Sequence, residues 1–235
     1  MSINIKTMIQ KGVHFGHSLQ AWNPRMSPYI YTEKNNIHII DLIQTYFHLK
    51  QTLNFLLNSS AQGKKILFVG TKRQASKLVI DIAQQCNAFF VTERWLGGLL
   101  TNWVTVHKSV LKLNKLELQE KTKLFLDLPK KEMIKLRKEK ERLNKYLGGL
   151  KKMRSLPDIV VIIDQQKEMN AVLECRKLRI PSITILDTNG DPTLADFFIP
   201  ANDDSITALN FILNEFRKYI RYGQKKFIRY KSYLS

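Results

Sequence analysis

The sequence predicts an α/β fold built on a doubly wound parallel sheet, with an antiparallel coiled-coil helical hairpin inserted into it. Three observations lead to this prediction. Short apolar runs rich in Ile and Val alternate with helix-period stretches, which is the element order of a parallel sheet. The apolar runs lack polar alternation, as is typical of strands buried on both faces. One densely charged segment, residues 105–155, interrupts the alternation.

Five apolar runs are candidate strands, and four helix-period stretches lie among them. The strongest candidates for buried parallel strands are residues 65–69, 159–163 and 182–186, and two weaker ones are 37–40 and 88–91. Helices are predicted at 46–58, 74–85, 169–178 and 205–219. Right-handed crossovers between the parallel strands follow from this order.

The charged segment is predicted to form two long helices. Asp127-Leu128-Pro129 breaks it in the middle, because proline disfavours helical geometry in the residue before it and can open the next helix. An antiparallel coiled coil would bury the recurring apolar residues and leave the charges outside. An ordinary helical pair packed on the core is the alternative. The apolar residues in question are Leu111, Leu118, Leu136, Leu143, Leu147 and Leu150.

The charge of the chain points to a polyanionic partner. There are 38 basic and 20 acidic residues, a net +18, which favours nucleic acid first and an anionic membrane surface second. Residues 156–214 depart from this trend at net −5, whereas 1–104, 105–155 and 215–235 are net +7, +10 and +6. No apolar run approaches the roughly 20 residues of a membrane-spanning helix. Cys86 and Cys175 match no disulfide or zinc spacing and are expected to be core residues in a reducing compartment.

Gly70-Thr71-Lys72-Arg73 stands where a predicted strand turns into a helix. Free backbone N–H groups and the helix dipole attract phosphate at such a place. A nucleotide site is the alternative, but the chain has neither the GxxxxGK[ST] loop nor a GxGxxG. Lys72 and Arg73 therefore fit an isolated backbone phosphate of RNA better than a nucleoside triphosphate.

Two irregular, Gly-containing segments combine aromatic and cationic residues in the way that single-stranded RNA binders do. The first contains His14, His17, Trp22, Asn23 and Arg25. The two histidines could instead be metal ligands, and Trp22, like Trp95, could instead belong to the core. In the second segment, residues 93–103, Arg94, Asn102 and Trp103 can face RNA, or the paired glycines can serve a tight turn only.

Five aspartates follow predicted strands or turns, where α/β enzymes place catalytic groups. They are Asp164, Asp187, Asp191, Asp203 and Asp204. Turn formation in Asp187-Thr188-Asn189-Gly190-Asp191-Pro192 and helix capping in Asn202-Asp203-Asp204-Ser205 explain most of them without catalysis. A divalent ion held by several of these carboxylates together with His17 is an open alternative.

Ten blocks of the sequence, in order, resemble the universal small-subunit ribosomal protein two family, and the resemblance covers nearly the whole chain. The blocks are GVHFGH, WNPRMSPYIY, IHIIDL, ILFVGTKRQA, RWLGGLLTN, LPKKE, LGGLKKM, LPDIVVIIDQ, IPSITILDTNGDP and IPANDD. The resemblance implies a Rossmann-like domain with an inserted coiled-coil hairpin, placed between head and body on the solvent side of the small subunit. It also implies a structural protein that is not an enzyme and needs no cofactor or metal.

The resemblance implies a division of the chain and of its surfaces. The α/β domain comprises residues 1–104 and 156–221, the hairpin 105–155 and a basic tail 222–235. The acids Asp187, Asp191, Asp203 and Asp204 are expected to face protein, chiefly the OB-repeat mRNA-binding protein of the small subunit. Contact with small-subunit rRNA is expected at His14, His17, Trp22, Asn23, Arg25, Lys72, Arg73, Arg94, Trp95, Asn102, Trp103 and Lys108.

Two departures from the bacterial pattern of this family are present. Gly190 replaces a cysteine, which weakens a metal or thiol role there, and the tail 222–235 is basic and aromatic, which suggests further rRNA contact. The details LLTNW, QEKT, PDIVVIIDQ and ADFFIPANDD resemble plastid members, and no transit peptide is recognised, so the plastid stroma is the expected location and the bacterial cytoplasm the alternative.

Two other functions fit part of the sequence. One is a nucleotide-dependent enzyme acting on RNA, with Lys72 near phosphate and Asp164 or Asp187 near the chemistry. The other is a coiled-coil adaptor, which would use residues 105–155 but leave the basic loops without a role.

Overall fold

The computed structural model describes residues 3–122 and 129–234, the last four of these as backbone alone. The chain begins with α1 (Ile5–Gln10) and a three-stranded antiparallel sheet of β1 (Phe15–Ser18), β2 (Ile30–Lys34) and β3 (Ile37–Ile40), in the order β1-β3-β2. Asn35 and Asn36, with φ of 53° and 60°, close the β2–β3 hairpin in the left-handed conformation that such turns need. We call this unit the N-terminal sheet.

The centre of the molecule is a five-stranded sheet in which every neighbouring pair of strands is parallel. Its strands are β4 (Ile66–Val69), β5 (Phe89–Val91), β6 (Ile159–Ile163), β7 (Ser182–Leu186) and β8 (Phe197–Pro200), in the order β5-β4-β6-β7-β8. The strand order reverses between β4 and β6, and doubly wound folds bind their ligands at the carboxyl edge beside such a point.

Helices cover both faces of the central sheet, as a parallel sheet requires. Those on one face are α2 (Leu42–Ala61), α3 (Arg73–Gln85) and α7 (Ile206–Leu234), and on the other α4 (Trp103–Glu120), α5 (Lys130–Leu147) and α6 (Met169–Leu178). Strand residues alternate between the two cores: Phe68 belongs to the first, and Leu67 and Val69 to the second. The predicted α/β class with a parallel sheet is confirmed.

Two predicted strand positions differ from the structure. Residues 37–40 form a strand, but it pairs antiparallel in the N-terminal sheet and not in the central one. The fifth central strand is β8, which pairs with β7 and which the apolar pattern missed because it is short and ends in Pro200. The strand predicted at 88–91 is present, since β5 pairs with β4. Cys86 and Cys175 are buried core residues, as expected.

The helices run further than the hydrophobic pattern alone indicated. Asp41 starts α2 four residues early, because its Oδ1 accepts a hydrogen bond of 2.8 Å from the backbone N–H of Ile43. Helix α7 continues to Leu234, so the predicted tail from residue 222 is the end of a helix. Gly223 allows α7 to pack closely on α2, since a Cβ there would lie 2.5 Å from the carbonyl oxygen of Leu57.

The charged insertion forms two helices, α4 and α5, that contact each other, and α5 begins after Pro129. Asp127 and Leu128 lie outside the described residues. The predicted seam is partly wrong: Leu111 and Leu118 are 52% and 66% exposed. The side of α4 that is buried carries Val110, Leu113 and Leu116 instead, because near the base this helix packs on the sheet as well as on α5. Leu147 and Leu150 are buried as predicted, and Leu136 and Leu143 are half-buried.

Ion pairs link the two helices further from the sheet. They join Lys112 to Glu139, and Glu120 to both Arg137 and Lys140. Such exposed pairs contribute little to stability individually. Among the described residues, none of the helices combines the length and apolar character that crossing a lipid bilayer requires.

Candidate functional site

Charged residues from four strand ends and from the N-terminal sheet meet at the carboxyl edge of the central sheet. Lys72 follows β4, Asp164 follows β6 and Asp187 follows β7. Parallel strands all end on the same side, so residues far apart in sequence converge there. We call the group the carboxyl-edge cluster, and its members are His17, Lys72, Asp164, Asp187, Asp203 and Asp204.

Lys72 lies at the centre of three carboxylates. Its Nζ is 2.6 Å from Asp203 Oδ1, 2.6 Å from Asp204 Oδ1 and 3.3 Å from Asp164 Oδ2. Burial by itself lowers the pKa of Lys72, but the hydrogen bonds to Asp203 and Asp204 outweigh it and raise that pKa above its ordinary value. The ammonium is therefore permanently charged and already paired.

His17 joins the N-terminal sheet to the same carboxylates. Its backbone N–H donates to Asp187 Oδ1 at 3.1 Å and to Thr188 Oγ1 at 3.0 Å. Its ring Nδ1 is 3.0 Å from Asp187 Oδ1, and its Nε2 is 3.6 Å from Asp204. The hydrogen bond with Asp187 is the main reason that the pKa of His17 rises to about 8, against the opposing effect of burial. The imidazole is thus mostly protonated at neutral pH.

Asp203 is the most buried carboxylate of the cluster, at 1% exposure. Desolvation raises its pKa to about 7, and the neighbouring charges of Asp187 and Asp164 add to this, against the attraction of Lys72. One ligand atom each of His17, Asp187 and Asp203 lie within 4.8 Å of one another, a set that fits a metal ion by donor type. The Lys72 ammonium, however, contacts Asp203 Oδ1 directly and supplies the positive charge these carboxylates require.

Further contacts fix the segment after His17 against the loop that follows β7. The backbone N–H of Asn23 donates to the carbonyl of Thr188 at 2.8 Å. Arg25 forms an ion pair with Asp191, whose pKa is lowered by hydrogen bonds from Thr193 and by Arg25, against desolvation. The cluster and its flanks therefore act as a clamp that holds the N-terminal sheet on the central sheet.

A second structural centre, not found from the sequence, is the buried carboxylate of Glu174 in α6. It accepts hydrogen bonds from Trp95 Nε1 at 2.9 Å and from the backbone N–H groups of Gly98, Leu100 and Thr101 at 2.8, 2.9 and 3.0 Å. Desolvation would raise the pKa of Glu174, but these donors lower it. Glu174 sits on a helix of ordinary amphipathic pattern, so no sequence signal set it apart.

The structure divides the residues assigned to RNA contact. Trp95 is 6% exposed and bonded to Glu174, so its ring is not accessible to RNA. Lys72 and His17 belong to the clamp, and Arg25 pairs with Asp191. The exposed remainder consists of Trp22, Arg73, Arg94, Asn102 and Lys108, and the half-buried remainder of His14, Asn23 and Trp103.

The four aspartates assigned to a protein partner do not form a free anionic surface. Asp187 and Asp203 are 2% and 1% exposed. Asp191 is bound to Arg25, and Asp204, with half of its side chain exposed, contacts Lys72 and His17. The net −5 of residues 156–214 misled the prediction, because the cations that neutralise these acids come from the N-terminal part of the chain.

The comparisons with known proteins agree on one family. The profile described as Ribosomal protein S2 matches residues 8–223. The chain belongs to the ribosomal protein S2 family. Small ribosomal subunit protein uS2c of Oltmannsiellopsis viridis is 57% identical over 227 residues, covering 97% of this chain and 95% of that protein. The uS2c of Chlorella vulgaris is 51% identical over 222 residues, covering 94% and 83%.

A bacterial S2 protein is similar to nearly the same extent. The uS2 of Nostoc punctiforme is 49% identical over 225 residues, covering 94% of this chain and 85% of that protein. Membership in the S2 family makes the chain a structural protein of the small ribosomal subunit and not an enzyme. The carboxyl-edge cluster agrees with this, since the lysine that a nucleotide-binding enzyme would use is neutralised by carboxylates.

Proposed function

We propose that this chain binds small-subunit rRNA in the plastid ribosome and that its work is positional. The observation that carries the proposal is the clamp: the carboxyl-edge cluster neutralises its own charges and fixes the N-terminal sheet, rather than opening toward a substrate. What remains exposed beside it is cationic and aromatic. A rigid scaffold that presents such groups suits phosphate neutralisation with fixed register.

Three cations and one indole are the contacts we propose first. Arg73 is exposed in the first turn of α3, Arg94 is exposed in the loop held by Glu174, and Lys108 is exposed on α4. Trp22 is 40% exposed, and its ring centroid lies 5.2 Å from that of His38. The cations suit backbone phosphates and the indole suits an unstacked base. Asn102 beside them can hydrogen-bond to sugar or base.

The plastid location and the neighbouring protein are the finer parts of the proposal. The plastid is supported by the uS2c relatives at 57% and 51% identity, although the bacterial relative at 49% is close behind. We propose that the OB-repeat mRNA-binding protein docks near the carboxyl edge, at the exposed side of Asp204. This is the one aspartate of the cluster whose side chain is more than half exposed.

The test is binding of the full chain to small-subunit rRNA over a range of salt concentrations. We expect Arg73→Ala with Arg94→Ala to lower the slope of log affinity against log salt by about 0.7 to 0.9 for each phosphate that the variant no longer neutralises. The matched control is Lys6→Ala with Lys50→Ala, which removes the same charge from α1 and α2, where both side chains are exposed. Equal slopes for the two double variants would refute the assignment, and a wild-type chain without affinity for rRNA would refute the function.

A further inference from the structure

A second charged surface lies at the opposite, amino edge of the central sheet. Two cavities of about 210 Å³ and about 420 Å³ adjoin there, because both are lined by Asn87, Ala88 and Phe89 at the start of β5. Lys64 and Lys65 line the first cavity, and Lys151 and Lys152 the second. We call the joined cavities the amino-edge groove.

The groove is cationic and has no carboxylate among the residues that line its two cavities. Two of its lysines are engaged: Lys65 Nζ donates to Ser155 at 2.7 Å, and Lys151 pairs with Glu117. Lys64 and Lys152 are exposed, and within the described part of the chain neither has an acidic partner. Arg217 and Arg221 of α7 add positive charge, since both lower the pKa of Cys86, which lines the first cavity.

The walls of the groove are aromatic and closely fitted. Phe89 is half-buried and lines both cavities, and Phe227 of α7 lines the first. Two glycines let the walls approach: a Cβ on Gly63 would lie 2.5 Å from the Phe227 ring, and one on Gly149 would lie 2.1 Å from the Phe90 carbonyl oxygen. The groove thus joins α7, the sheet edge and the base of the hairpin.

We propose that the amino-edge groove binds an irregular, unpaired segment of rRNA, with phosphates at Lys64 and Lys152 and an unstacked base against Phe89. Free lysines without carboxylate partners flanking an aromatic wall are the combination that single-stranded RNA recognition uses. The inference rests on the proposed function and adds a second RNA surface, on the side of the sheet away from the clamp. No residue in this groove was among the RNA contacts predicted from the sequence.

The first test measures the charge contribution of the groove. Lys64→Ala with Lys152→Ala should lower the salt slope of rRNA binding by about 1.4, because each phosphate contact to single-stranded RNA contributes about 0.7. Both side chains are exposed, so the thermal unfolding midpoint should stay that of the wild type. Lys6→Ala with Lys50→Ala is again the control of equal charge and should leave the slope unchanged.

The second test locates the RNA. The native thiols are buried, and burial raises the pKa of Cys86 to about 11 and that of Cys175 to about 12, so a surface cysteine can be labelled selectively. A hydroxyl-radical probe on Lys152→Cys should cleave rRNA in assembled small subunits, and one on Lys50→Cys should cleave it far less.

The outcomes separate the two proposals. If the wild-type chain fails to bind rRNA, the proposed function falls. If the wild type binds but the groove variant keeps its slope and the Lys152→Cys probe leaves rRNA intact, the groove proposal alone falls. Cross-linking of that probe to a neighbouring protein in place of rRNA would likewise overturn it.

Discussion

His17 is the residue on which the N-terminal sheet and the central sheet depend together, and its charge should make their association sensitive to pH. Its pKa is raised from 6.5 to about 8 in the folded chain, chiefly by Asp187. A group whose folded pKa is raised stabilises the fold below its unfolded pKa and loses that contribution as the pH rises through the folded value. The pKa difference corresponds to about 2 kcal/mol of unfolding free energy.

We therefore expect the unfolding free energy of the wild type to fall between pH 6.5 and 9 and that of His17→Gln to be nearly flat over the same interval. Urea titrations at closely spaced pH values measure this. His48→Gln is the matched control, because burial lowers the pKa of His48 and keeps it neutral throughout the window. A pH dependence that survives in His17→Gln would show that His17 is not the group responsible.

Single residues were the hardest level to predict, and Lys72 shows why. Its position at a strand-to-helix turn was predicted correctly, and such a position does attract phosphate. What the local pattern could not contain is Asp203, which is 131 residues away and reaches the same point only through the strand order. Glu174 is a similar case, since its partners in the loop around Trp95 are more than 70 residues distant.

At the level of elements, the hairpin has a base that belongs to the core and a distal part that does not. Val110, Leu113 and Leu116 of α4 and Leu147 of α5 are buried, the first two and Leu147 in the same core as Leu67 and Val69 of the sheet. Helix α5 has no other buried residue. The predicted boundary at 105–155 therefore cuts through a packed face.

Trimming the hairpin should distinguish its two parts. Replacing residues 118–138 by a short Gly/Ser linker removes mainly exposed ion pairs, so cooperative unfolding should persist with a loss of about 1 kcal/mol or less. Replacing all of 105–155 uncovers one face of the sheet and should abolish cooperative unfolding. Urea unfolding followed by tryptophan fluorescence and by circular dichroism checks this. A full deletion that unfolds as cooperatively as the wild type would restore the boundary predicted from the sequence.

Elements were predicted well where burial on both faces or strong helical periodicity determined them. Strands β4, β6 and β7 and helix α6 lie where the apolar pattern placed them. The misassigned strand, β3, owes its partners to the hairpin turn at Asn35 and Asn36, and the missed one, β8, is only four residues long. The extent of α7 depends on its packing against α2, which is a tertiary effect that periodicity cannot reveal.

The whole molecule places charge differently at the two edges of its sheet. At the carboxyl edge, four carboxylates enclose Lys72 and His17, and the charges are balanced within the fold. At the amino edge, Lys64 and Lys152 remain unpaired within the described residues beside Arg217 and Arg221. A net +18 thus does not imply that every conspicuous cation meets RNA. The amino edge is free to bind a polyanion, whereas the carboxyl edge holds the protein together.

This division predicts that stability and RNA affinity respond to different substitutions. Lys72→Met leaves three carboxylates without their cation, one of them fully buried, and should cost about 3 to 5 kcal/mol of unfolding free energy. Adding Asp203→Asn should recover part of that loss, because it removes the buried charge that Lys72 neutralises. Neither variant should alter the salt slope of rRNA binding under conditions where it is folded.

Lys64→Ala with Lys152→Ala should show the reverse, a lower slope at unchanged stability. The measurements are urea unfolding and rRNA titrations over salt for all three variants, with Asp204→Asn as a milder carboxyl-edge variant if Lys72→Met does not fold. If Lys72→Met were as stable as the wild type and its salt slope were lower by about 0.7 to 0.9, Lys72 would be the phosphate ligand that its position suggests. The carboxylates around it would then have to separate on binding RNA, and the clamp would be a property of the free protein alone.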